Sequence, residues 1–175
     1  MGNPAPRAVL VDGYNVLHAI PRFAPRGGDL FAARERFESW LSQAVARAGV
    51  RDCVLVWDGR DGQRQRRAGP VTVLHTAAGV SADDRLLDLC RGAFAARARS
   101  TWVVSSDRDV RDPARRLGFP VLGAMTFYRR WGLAARPAGA DPRSADGHRD
   151  PPGAPSRGEV EELLEEFLKA DRGPR

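Results

Sequence analysis

Lysine is almost missing from this chain. Of its 28 basic residues only Lys169, near the C-terminus, is a lysine. The lysine-dependent chemistries of α/β domains, such as the phosphate-binding P-loop and Schiff-base catalysis, therefore have no residue to work with in the body of the protein. Cysteine is also scarce. Cys53 falls in a strand-like run and Cys90 in a helix-like run, which excludes a disulfide framework and a thiolate zinc site and predicts two buried, reduced thiols. The three histidines, His18, His75 and His148, have no spacing that suggests a ligand set or a catalytic pair. No apolar run is long enough to span a membrane, and Met1 to Arg7 lacks the apolar core of a signal peptide. The expectation is a soluble, cytoplasmic protein with no membrane partner.

What is present is arginine and aspartate on an apolar frame. With 175 residues and 42% hydrophobic content, the chain can bury one real core, so one domain and a tail are expected. Residues 1–135 carry 21 arginines against 13 acids, whereas Glu159 to Asp171 carries one lysine against six acids. A basic body suits a phosphate-rich partner such as RNA.

Short apolar runs alternate with helical patterns. Ala8-Val9-Leu10-Val11 reads as a buried strand, and Asp12 to Gly28 as a long loop. Asp29 fits the N-cap of an amphipathic helix carrying Phe31, Phe37, Trp40, Leu41 and Val45 and closed by Gly49. Cys53 to Trp57 is a second strand, followed by a polar loop with Arg60, Arg64, Arg66 and Arg67, and Val71 to Leu74 is a third. Ser81 and Asp84 have capping-box spacing ahead of a helix with Leu86, Leu87 and Cys90. Thr101 to Val104 is a fourth strand. Asp112 as N-cap and Pro113 at the first helical position predict a short helix closed by Gly118. A fifth strand, Pro120 to Leu122, precedes a helix from Met125 to Leu133.

Such alternation predicts an α/β domain over 1–135, Rossmann-like, with a mainly parallel sheet of about five strands between helical layers. Residues 136–158 change to Pro, Gly, Ala, Asp and Arg and read as a disordered linker. In the 159–170 stretch, Val160, Leu163, Leu164, Phe167 and Leu168 form one stripe of an acidic helix that is marginal alone. Its own domain, a second copy in a homodimer, or another partner would complete it, and the sequence leaves the three open.

Three strands end in a carboxylate: Asp12, Asp58 and, after Ser105-Ser106, Asp107. In a parallel sheet these meet at the carboxyl edge, where open α/β sheets place ligands. Asp83 and Asp84 start a helix and join them. Acids so placed raise the cost of ionising one another, and a divalent cation resolves the repulsion. Oxygen ligands without His or Cys suit Mg²⁺ or Mn²⁺, which can orient a water for attack on a phosphodiester. Asp84 has the competing role of capping acid, which makes Asp83 the better ligand candidate; Asp61, Asp109 and Asp112 read as turn, supporting or capping residues. Asn15 and Ser106 are candidate supporting ligands. The arginines after Asp58 would grip a nucleic-acid backbone without reading sequence. Tyr14 and Trp57 flank the same edge, suited either to stacking on a base or to packing.

Val11-Asp12-Gly13-Tyr14-Asn15-Val16, Asp58, Ser81-Ala82-Asp83 and Ser105-Ser106-Asp107-Arg108 resemble the motifs of NYN domain proteins, specifically the YacP-like branch, which are related to PIN-domain nucleases. The resemblance covers residues 8–133. It implies a three-layer PIN-like fold and a metal-dependent endoribonuclease acting on single-stranded messenger RNA, linked to decay on ribosomes. By position, Asp12, Asp83 and Asp107 are then the catalytic, metal-binding acids, with Asp58 a further metal ligand, Asn15, Ser106 and Asp84 in support, and Arg60, Arg64, Arg66, Arg67, Arg108 and Tyr14 on the RNA. Where NYN members commonly have threonine-alanine-aspartate-serine at this helix start, this chain has Ser81-Ala82-Asp83-Asp84.

Two other functions fit parts of the pattern. A phosphomonoesterase with an aspartate nucleophile also begins with a strand ending in aspartate, but it usually has a second acid two residues on, where this chain has Tyr14, and a body lysine. A non-catalytic RNA-binding module would use the same fold and basic surface. Four acids on the binding edge give such a module nothing unless a metal neutralises them.

Overall fold

The computed structural model describes residues 6–25, 27–59 and 64–132. The expected linker, the acidic terminal helix and Arg60 lie outside the described residues.

The sheet is built from β1 (Ala8–Asp12), β2 (Asp52–Trp57), β3 (Arg64–Ala68), β4 (Val71–His75), β5 (Thr101–Val104) and β6 (Val121–Leu122). Its order is β3-β4-β2-β1-β5-β6, parallel throughout except for β3, which runs antiparallel to β4. Alternation along the central strands feeds two cores. Val9, Val11, Leu55, Trp57, Val73 and Val104 face a layer formed by α1 (Gly13–Ala19), α2 (Leu30–Arg47) and α5 (Ala124–Gly132). Leu10, Val54, Val56, Leu74 and Val103 face α3 (Ala82–Arg91) and α4 (Arg108–Arg116). This is the expected three-layer α/β/α arrangement, and with both faces covered the central strands are apolar on both sides. Among the described residues no helix is long and apolar enough to cross a membrane. Cys53 and Cys90 are buried free thiols, as expected.

The sheet has one strand more than the hydrophobic pattern suggests. Arg64 to Arg67, read as loop, form β3; all four are exposed, so no apolar periodicity marks the strand. It is an edge strand whose charges block further pairing, and it turns into β4 through Gly69, at φ +59°, and Pro70. Its anchor is Glu38 of α2. This buried carboxylate accepts a hydrogen bond from Trp57 Nε1 at 2.9 Å and pairs with the Arg66 guanidinium. Glu38→Ala is expected to destabilise the fold by about 3 kcal/mol in urea unfolding, because it leaves a buried indole N–H and an arginine without their acceptor. Glu38→Gln, which keeps an acceptor for Trp57, should lose less, and a loss below about 1 kcal/mol for the alanine variant would contradict the anchoring role.

Two helices depart from expectation. The stretch after Asp12, read as loop, contains α1, whose buried Val16 and Leu17 face the core. Helix α4 starts five residues earlier than Pro113 suggests. Its N-cap is Asp107, not Asp112, because the buried stripe Val110 and Ala114 extends upstream of the proline. Asp112 lies inside the helix and pairs with Arg115 at 3.1 Å.

Candidate active site

The chain leaves β1 towards β2 on one side and later crosses to β5 on the other, so the topological switch point lies between β1 and β5. Ligands of open α/β sheets bind at this crevice, and it is stitched by two side-chain bonds. Ser105 Oγ donates to Asp12 Oδ2 at 2.9 Å, and the Ser106 N–H donates to Asn15 Oδ1 at 2.6 Å. The parallel register Val11↔Val104 places Asp12 and Ser105 side by side one step further on.

Asp12 is 4% exposed. Its other oxygen accepts the Asn15 N–H at 3.3 Å, so the carboxylate also caps α1. Burial is the main cause that pushes its pKa up to about 6. The Ser105 and Asn15 bonds oppose the rise, and the charges of Asp83 and Asp58 add to it. Asp83, in the first turn of α3, is also raised, by partial burial first and then by Asp107, Asp58, Asp84 and Asp109. Asp83 is thus the acid in whose field the others meet. Asp58 Oδ1 accepts the Ala82 N–H at 2.6 Å, which seats the start of α3 against the end of β2. Asp107 caps α4 through the Asp109 N–H at 2.9 Å, while its own N–H donates to Ser105 Oγ.

The supporting residues divide by role. Asn15 bridges β1 to the loop after β5. Ser106 Oγ accepts the Ala124 N–H at 3.1 Å and so starts α5. Asp84 closes the capping interaction with Ser81, its Oδ2 accepting from the Ser81 hydroxyl at 2.8 Å. Ser105, fully buried and touching both Asp12 and Asp107, is the site residue the sequence reading missed. Its signal was a serine continuing an apolar strand, legible only with the register of its neighbour.

The arginines and aromatics are sorted by the strand they occupy. Arg64 and Arg66 point to the α2 side of the sheet, Arg66 already paired with Glu38; Arg67 points to the other side. Arg108 is the exposed first residue of α4, beside Asp107. Tyr14 is half-buried, edge-on to Trp57 at 4.9 Å and stacked with His18 at 6.1 Å. Trp57 is wholly buried, so it packs and cannot stack on a base.

Among the described residues no three His, Cys, Asp or Glu side chains close into a ligand cage. The donor set nonetheless fits a hard divalent cation. All of it is oxygen, and a buried carboxylate with a raised pKa is stabilised in its charged form by a cation. Mg²⁺ keeps several waters and binds through one or two carboxylates, so a closed cage is not required.

A Rossmann-like sheet with an acidic crevice at its switch point defines the class: a three-layer α/β domain of PIN-like architecture. Within that class, the YacP-like NYN domain model matches residues 9–148, and the chain belongs to this family, one of nuclease-type hydrolases with RNA as the implied substrate. The solved structures it resembles include Rae1 (YacP) from Bacillus subtilis, with 22% identity and a TM-score of 0.61 over 95% of each chain. The W164L mutant of the same protein aligns at 23% identity and TM-score 0.61 over 72% of this chain and 75% of that one. No curated protein matches the chain.

Proposed function

We propose that this protein is a metal-dependent endoribonuclease that cuts phosphodiester bonds within single-stranded RNA. The observation that carries the reading is the set of acids around the switch point: Asp12 and the Asp107 N–H share the Ser105 hydroxyl, Asp58 seats the start of the helix that carries Asp83, and the charges of Asp83 and Asp58 add to the raised pKa of Asp12. An RNA phosphate would not enter such a crevice unless positive charge offset the acids. Asp12, Asp83, Asp107 and Asp58 would hold Mg²⁺ or Mn²⁺, which supplies that charge and stabilises the charge developing on the phosphate oxygens.

The chain's own residues do the rest. Ser105 and Asn15 fix the orientation of Asp12, so its carboxylate does not rotate away when substrate enters. A carboxylate oxygen of Asp83 not bound to the ion takes up the proton released by the attacking water. Arg108, beside Asp107, and Arg64 hold the RNA backbone on either side. Messenger RNA as the substrate, translating ribosomes as the place where it is presented and the cytoplasm as the setting complete the proposal, on the family resemblance.

The test is end-labelled single-stranded RNA incubated with the full-length protein in Mn²⁺, in Mg²⁺ and in chelator. Internal cuts that need the metal are expected. Asp107→Asn should reduce them about 10³-fold and still fold, because asparagine caps a helix as well as aspartate does. Retained turnover in that variant would remove Asp107 from the mechanism. RNA bound but uncut by the native protein in every condition, ribosomes included, would leave a binding module in place of an enzyme.

A further inference from the structure

A groove of about 1420 Å³ runs from the acidic edge along α2, bounded on its other side by β3 and the end of β4. Asp58 and Tyr14 belong both to the edge and to this groove. Its volume exceeds the roughly 300–1,000 Å³ of small-molecule sites, which favours a length of polymer over a single metabolite.

Its walls are built for flat rings. The Arg34 guanidinium lies over Trp57 at 4.8 Å and over Tyr14 at 5.9 Å, and it donates to the His75 ring at 3.2 Å. Half-buried and stacked on one face, it is a fixed plane lining the groove. Phe31 precedes it by three residues on α2, so the two are neighbours on one helix face. Phe31 is 71% exposed, the most exposed large hydrophobic among the described residues. Helix α2 packs its other aromatics, Phe37 and Trp40, into the core, so the exposure of Phe31 is not needed for folding. Glu35 and Ser42 of the same face offer hydrogen-bonding groups, and Arg64 stands across the groove.

We propose that this groove seats an unpaired nucleotide of the RNA strand next to the cut, its base stacked on the Arg34 plane and the Phe31 ring and its phosphate towards Arg64. Bases splayed out of a single strand are held by aromatic rings and by arginine planes in this way. A duplex keeps its bases stacked on one another and has none to insert. The groove therefore selects single-stranded RNA by shape, with no reading of a long sequence. The inference rests on the reading of the acidic edge as an RNA-cutting site.

The test is binding of a fluorescein-labelled single-stranded oligoribonucleotide of about eight nucleotides to the full-length protein, followed by anisotropy with Ca²⁺ in place of Mg²⁺, so that a hard oxygen-seeking cation still offsets the acids while cutting is held back. Phe31→Ala, which removes an exposed and uncharged ring, is expected to weaken binding about tenfold. Arg34→Lys, which keeps the charge and loses the plane, should weaken it by a similar factor. An RNA duplex should compete at least about tenfold less well than the single strand. Native affinity in Phe31→Ala, equal competition by the duplex, or no binding by the native protein would each overturn the proposal, the first of them assigning the exposed ring to another class of partner. Loss of the nuclease reading shows separately: a native protein that binds with this pattern and never cuts keeps the groove and loses the enzyme.

Discussion

Asp12→Asn is expected to abolish cleavage and, at neutral pH, to make the protein more stable. The carboxyl has a pKa near 6 in the fold, mainly because it is buried, against an ordinary value of 3.8. A raised acid pKa means that the folded state holds its proton where the unfolded chain has released it. Below about pH 4 both states are protonated and the group has no effect on stability. Between pH 4 and 6 the fold loses stability as pH rises, and above pH 6 the full penalty stands. A rise of about two units corresponds to about 3 kcal/mol, of which asparagine should recover about 2 kcal/mol, since its amide must re-form the bonds with Ser105 and Asn15. Urea unfolding should therefore show the variant about 2 kcal/mol more stable at pH 7.5 and about 1 kcal/mol less stable than the native protein near pH 3.5, where the charge penalty is gone and only the altered bonds remain. Mn²⁺ should close the gap by stabilising the native protein, whose carboxylate binds the ion only when folded, and should do little for the variant. Equal stability of the two proteins at pH 7.5 without metal would mean that Asp12 carries no such charge penalty.

This trade between stability and a charged site explains which parts of the molecule were legible in the sequence. The core strands were legible because burial on both faces makes them continuous apolar runs, and Asp29, Ser81 and Gly49 punctuate their helices in the way side-chain capping and left-handed backbone demand. The site acids were legible because nothing in a buried strand explains a carboxylate at its tip. Failures came where one residue does two jobs. Asp12 ends β1 and caps α1, so the motif that marks the site hid the helix behind it. Asp107 is both site acid and cap of α4, and Pro113 was a stronger local signal than the stripe running past it. Strand β3 was invisible because its partner supplies the order: an arginine-rich strand exists only where β4 offers hydrogen bonds and Glu38 offers a counter-charge. Ser105 needed the register between two strands far apart in sequence.

The largest structural effect is expected from Gly13→Ala. Gly13 follows Asp12 directly and begins α1, and a Cβ there would lie 2.3 Å from the Trp57 ring and 2.6 Å from the Val56 carbonyl oxygen. Its φ is not among the positive ones, so the requirement is for space and not for backbone freedom. Neither neighbour can yield. The Val56 carbonyl belongs to a central strand, and the Trp57 ring is fully buried and tied to Glu38 by its indole N–H. Overpacking of this kind costs about 3 kcal/mol or more, a large share of the total stability of a domain this size. Gly79→Ala is the informative contrast. Gly79 has φ +81° with nothing within 4 Å of a Cβ, so only conformational strain of about 1 kcal/mol is expected. Urea unfolding of both variants separates the two causes. Because Gly13 sits between Asp12 and Tyr14, any shift that admits the extra methyl moves the acid off its Ser105 bond, and the site should be lost together with the fold. A Gly13→Ala protein of native stability would show that Trp57 can move, and with it the plane on which Arg34 rests.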